Sequence, residues 1–206
     1  PKEDVLAVLL APPPHAPDPE HPVYGRARHY AQAIAEWVAP PIPWLCEALV
    51  MAPGAVSLIT GYGGSGKTTL VQHLALAVAP PGGRFLNQYP VRHGSVVHID
   101  QEQGADLTRR RYQRLGLTPD AALTLIATPR WSVGDHETRK YLIQECRGRA
   151  LVIIDSLIAS MGDLLDDEHA TGIREPLDRL NEISEASGAV ILVIHHSKKD
   201  RSDLRT

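Results

Sequence analysis

A chain of 206 residues is long enough to bury one substantial hydrophobic core and too short for two ordinary large domains, so one domain with an attached arm is expected. A hydrophobic fraction of 43%, a charged fraction of 22% and a net charge of -3 suit a soluble globular protein, and leave nucleic-acid binding open because that needs a local basic surface. Cys46 and Cys146 lack metal-ligand spacing, which argues against a disulfide framework or a zinc site; no apolar run reaches the ~18 residues of a membrane span; and the absence of a signal-peptide pattern makes the cytoplasm the expected compartment.

Prolines crowd the start of the chain at Pro12, Pro13, Pro14, Pro17, Pro19 and Pro22, and again at Pro40, Pro41 and Pro43. Each fixes its backbone and removes an amide donor, so these stretches are expected to be extended or irregular. Between them, residues 24–38 read as a helix whose apolar side includes Ala27, Tyr30, Ala31, Ile34 and Trp37. That helix either covers its own core or links subunits. Residues 1–42 are thus taken as a proline-rich arm and residues 43–206 as the main domain.

From residue 55 onward short apolar runs alternate with helix-length segments. Strands are expected at 55–60, 95–100, 122–127, 150–155 and 189–195, and helices at 67–78, 105–115, 135–147 and 172–186. This alternation predicts an α/β fold with a mainly parallel central sheet flanked by helices on both faces. Ligands of such sheets gather beyond the carboxyl ends of the strands.

The first strand runs into Gly61, Tyr62, Gly63, Gly64, Ser65, Gly66, Lys67, Thr68 and Thr69, which satisfy the phosphate-loop pattern between a strand and a helix. Glycines let the backbone curl around phosphate and present its amides at a positive helix terminus. Lys67 is expected to bridge the β- and γ-phosphates, and Thr68 to give magnesium an oxygen ligand. ATP and Mg2+ are the ligands this pattern implies. Asp155 ends the run Leu151, Val152, Ile153, Ile154, where a carboxylate points toward the metal or its water, unless it merely caps the strand end. Glu102 is the preferred group for activating water, with Asp100 its rival. His195 and His196 end the last strong strand, and His196 is the preferred sensor of the γ-phosphate.

In their order, Lys67, Glu102, Asp155 and His196 resemble the sites of RecA-like P-loop ATPases, particularly the plasmid replicative helicase family typified by RepA and the related DnaB-like enzymes. The resemblance covers roughly residues 43–200 and includes Arg109 and Arg110 in the helix after Glu102. It implies a ring-forming, ATP-driven motor, typically a homo-hexamer, acting on single-stranded DNA and served by replication initiation or loading proteins. Members of the family continue with further strands and an arginine given to the neighbouring site. This sequence stops soon after Lys199, so its domain reads either as C-terminally incomplete or as a reduced ATPase, and neither Arg201 nor Arg205 is assigned as that finger.

Lys198, Lys199, Arg201 and Arg205 form a short basic run suited to DNA phosphates, or to plain solvation. The cluster Arg109, Arg110, Arg111 and Arg114 is open to DNA, subunit contact or solvent. Residues 161–169, rich in Asp and Glu, read as a loop. Beside a replicative helicase motor, two other functions fit these residues: a RecA-like recombination or repair ATPase, and a nucleotide-dependent loader or regulatory DNA-binding module.

Overall fold

The computed structural model describes residues 41–127, 131–162 and 173–196. The expected helix at 24–38 and the basic residues Lys198, Lys199, Arg201 and Arg205 lie outside them, as does most of the acidic stretch 161–169.

Five parallel strands form one sheet in the order β1, β7, β6, β4, β5: β1 (Val56–Gly61), β4 (Val96–Asp100), β5 (Leu123–Ala127), β6 (Leu151–Asp155) and β7 (Val190–His196). The helices between them are α1 (Lys67–Val78), α2 (Ala105–Arg114), α3 (His136–Cys146), α4 (Leu157–Met161) and α5 (Arg174–Ser187). This is the expected parallel α/β architecture. Ends differ by a residue or two from the sequence reading, because helix and strand termini lack a sharp periodic signal.

The continuous apolar character of the inner strands follows from burial on both faces. Leu151 and Ile153 of β6, with Leu192 and Ile194 of β7, pack with Val71, Leu74 and Val78 of α1 and with Tyr112 of α2. Their alternates Val152, Ile154, Ile191 and Val193 pack on the other side, with Leu142 of α3, Leu157 of α4, and Leu180 and Ile183 of α5. The two-residue period of a strand thereby fills two cores from one run of sequence.

Two features depart from the sequence reading. A hairpin of β2 (Arg84–Phe85) and β3 (Tyr89–Pro90) was not anticipated, because two-residue strands carry no periodicity. Its approach to α1 depends on Gly83, where an added Cβ would sit 1.7 Å from the Ala77 carbonyl oxygen. Met161, assigned to an acidic loop, instead closes α4 as a buried residue. Its apolar side chain belongs to the second core, whereas the acidic residues begin only at Asp163. No helix among the described residues is long and apolar enough to cross a membrane.

Candidate functional site

The sheet register lays the candidate residues side by side at the carboxyl edge. Gly61 pairs with His196, and Asp100 pairs with Asp155. The turn from Gly61 to Gly66 then rises over this edge and enters α1, which no side chain caps. Gly64 and Gly66 hold left-handed backbone angles, φ 79° and 86°, that disfavour any residue with a Cβ. A Cβ at Gly63, Gly64 or Gly66 would meet nothing within 4 Å, so these residues border open space.

Lys67 is buried, and its ammonium donates to the carbonyl oxygens of Gly61 and Tyr62, both at 2.8 Å. The lysine thus curls back over the turn, with its charge against backbone oxygens. Thr68 Oγ1 donates to Asp155 Oδ2 at 2.9 Å, which joins the start of α1 to the end of β6. Asp155 is fully buried, and its Oδ1 has no hydrogen-bond partner among the described residues. Burial pushes its pKa up to about 6, against the Thr68 hydrogen bond that pulls it down; Glu102 and Asp100 add to the rise, and His196 opposes it.

Glu102 lies just beyond β4, with its carboxylate held from two sides. Ser156 Oγ donates to Oε1, and His196 Nε2 lies 3.1 Å from Oε2. Asp100, its rival, is fully buried and already engaged. It accepts from the amides of Glu102 at 3.0 Å and Gln103 at 2.9 Å, and from Thr108 Oγ1. Asp100 is therefore the carboxylate that shapes the turn, and Glu102 the one in contact with His196. His195 has its Nδ1 buried without a partner among the described residues, and burial, then His196 and Lys67, lower its pKa.

A cavity of about 200 Å³ is lined by Gly64, Gly66, Lys67, Thr68, Thr69, Gln103, Arg111 and His196. Gln103 is an addition to the residues singled out from sequence, whereas Arg111 was read there only as part of a cluster open to DNA, subunit contact or solvent; Arg111 Nη1 donates to Gln103 Oε1. A signal for Arg111 was present: Thr108 and Tyr112 are the buried residues of α2, so Arg111 falls on the same side by the helical period, whereas Arg109, Arg110 and Arg114 are exposed. Ser156 had no comparable signal.

A parallel α/β sheet, a strand-to-helix glycine turn with Lys67 and Thr68, and a strand-end carboxylate in contact with that threonine define a P-loop nucleoside triphosphatase. A family model described as an AAA domain matches residues 26–202, and the chain belongs to that family of P-loop ATPases. A search of curated proteins finds no match. The family generally uses ATP with Mg2+. The donor set fits that ion: a hydroxyl and a carboxylate offer the oxygen ligands a hard cation requires, and Asp155 Oδ1 is a buried acceptor without a partner.

Proposed function

We propose that this chain is the motor domain of an ATP-dependent replicative DNA helicase, which couples ATP hydrolysis to movement on single-stranded DNA. The observation that carries this reading is the 3.1 Å contact between Glu102 Oε2 and His196 Nε2. It ties the carboxylate best placed to activate water to the end of β7, whose continuation carries Lys198 and Lys199. A change at the γ-phosphate that alters Glu102 is then felt by the imidazole at the root of a basic segment. The resemblance to replicative helicases supports the same reading, as does the match to an ATPase family.

In this scheme Gly61, Gly63, Gly64, Ser65 and Gly66, with the amides of Lys67, Thr68 and Thr69, cradle the phosphates. Lys67 exchanges its two carbonyl contacts for the β- and γ-phosphates. Thr68 and Asp155 would hold magnesium, which when bound would supply positive charge against the phosphate oxygens. Glu102 orients the attacking water and accepts its proton, and His196 keeps Glu102 in place. Arg111, directed into the same cavity, adds a cation on the phosphate side. Lys198, Lys199, Arg201 and Arg205 contact the phosphates of single-stranded DNA. A homo-oligomeric ring, of six subunits by the same resemblance, and a replication initiation or loading protein complete the assembly.

The test is ATP hydrolysis with and without single-stranded DNA, followed by directional unwinding in one preparation. DNA-stimulated turnover together with unwinding is expected. Stimulation without unwinding replaces this reading with a recombination or repair ATPase. ATP binding with negligible turnover replaces it with a loader or regulatory module.

A further inference from the structure

We propose that Glu102, Asp155 and His196 form a transition-metal site, which takes a dication such as Zn2+ when no nucleotide occupies the phosphate loop. Each residue offers one ligand atom, and all three atoms lie within 4.8 Å of one another. One edge is already short, since His196 Nε2 and Glu102 Oε2 are 3.1 Å apart. A tetrahedral ion with bonds of about 2.0–2.1 Å needs ligand atoms ~3.3 Å apart, so only the longer edges must contract. The Glu102 and His196 side chains are each 31% exposed, which leaves them room to move and gives an ion a way in.

Asp155 adds an open acceptor, the same one the magnesium site would use. Its side chain is fully buried, Thr68 occupies Oδ2, and Oδ1 has no partner among the described residues. A carboxylate oxygen buried without a donor is costly, and a bound cation offsets that cost. The donor set also separates this site from the magnesium site. Magnesium favours six oxygens and retains its waters, whereas one imidazole nitrogen with two carboxylates suits zinc, cobalt or nickel. Three protein ligands leave the fourth position to water.

Binding there draws Glu102 away from its His196 hydrogen bond and occupies Asp155, so ATP–Mg2+ and the ion compete. An ion held by Glu102 and His196 also blocks hydrolysis. That consequence rests on the roles proposed above, whereas the binding does not.

Equilibrium dialysis of Zn2+ or Co2+ with the nucleotide-free full chain tests the site. One equivalent per chain is expected, released by ATP–Mg2+, with a Co2+ spectrum of low coordination number and no thiolate charge-transfer band. His196→Gln is expected to weaken Zn2+ binding by at least the ~10–100-fold seen for loss of supporting groups around a metal, with the neighbouring His195→Gln unaffected. Glu102→Gln is read alongside, and the thermal midpoint of each variant reports whether it is folded. No stoichiometric binding, binding unchanged in both His196→Gln and Glu102→Gln, or a thiolate band from Cys46 or Cys146 overturns the site. Stoichiometric binding that still leaves ATP hydrolysis untouched when the ion is shown to stay bound supports the site and removes the catalytic roles of Glu102 and His196. Loss of hydrolysis in Glu102→Gln without any metal binding does the reverse.

Discussion

Glu102 owes its place to neighbours that are distant in sequence. The amides after Asp100 set the turn, Ser156 fixes one oxygen of the carboxylate and His196 the other. A glutamine keeps the shape but cannot accept a proton from water. Glu102→Gln is therefore expected to leave ATP affinity nearly unchanged while kcat falls about 10²- to 10⁴-fold; equal turnover in a steady-state phosphate-release assay would sink the assignment. Arg111 makes a comparable case. Losing one charge-assisted contact to phosphate costs about 1.5–3 kcal/mol, or roughly 10- to 100-fold in kcat/KM. Arg111→Ala is expected to show that loss without DNA, while the exposed Arg110→Ala stays within about twofold. Similar losses in both would mean a general effect of helix charge.

At the scale of elements, α2 matters because it carries Arg111, and it is fastened to β4 through two buried polar contacts. Thr108 donates to Asp100, and the Tyr112 hydroxyl lies 2.8 Å from His98 Nδ1. Burial outweighs the attraction of Asp100 and lowers the His98 pKa from 6.5 to about 4. The unfolded chain thus takes up this proton first. Stability from this group is intact above pH ~6.5 and is lost as the pH falls toward 4, by about 3 kcal/mol at ~1.36 kcal/mol per pH unit. Asp155, with its pKa raised to about 6, works in the opposite direction and regains stability on acidification. The two are separated by difference: the stability gap between the parent and His98→Asn is expected to shrink between pH 6.5 and 4, as read by urea unfolding at each pH. A gap that stays constant rules out His98 as the acid-labile group.

The same scale shows why some elements were legible in the sequence and others were not. β6, β4 and β7 stand out as apolar runs because parallel strands are covered on both faces. α3 was bounded by Asp135, whose side chain accepts from the Thr138 amide at 2.7 Å as a helix cap. The β2–β3 hairpin and the five-residue α4 are too short to show a period. Both are held by contacts, such as the Ser160 hydroxyl donating to Gln101 Oε1 at 2.6 Å, that join distant parts of the chain.

For the whole molecule, the prediction concerns assembly. A ring motor binds nucleotide between neighbours, so ATP–Mg2+ is expected to raise the solution mass to a multiple of the chain, six by resemblance. Mass measurement with and without ATP checks this, and a mass that remains that of one chain under both conditions contradicts the ring. The sequence by itself determined the class of fold and the phosphate loop, because strand periodicity, glycine freedom and the Lys67–Thr68 pair are local properties. It also named Glu102, Asp155 and His196. Only the tertiary structure decided that Asp100 shapes a turn, that Ser156 and His196 clasp Glu102, and that Arg111 lines the same cavity as Lys67 and Thr68. Those facts depend on the order in which strands lie side by side. β6 joins β4 to β7 in the sheet; β7 follows it in the chain, but β5 intervenes in sequence between β4 and β6, and no local pattern encodes that pairing.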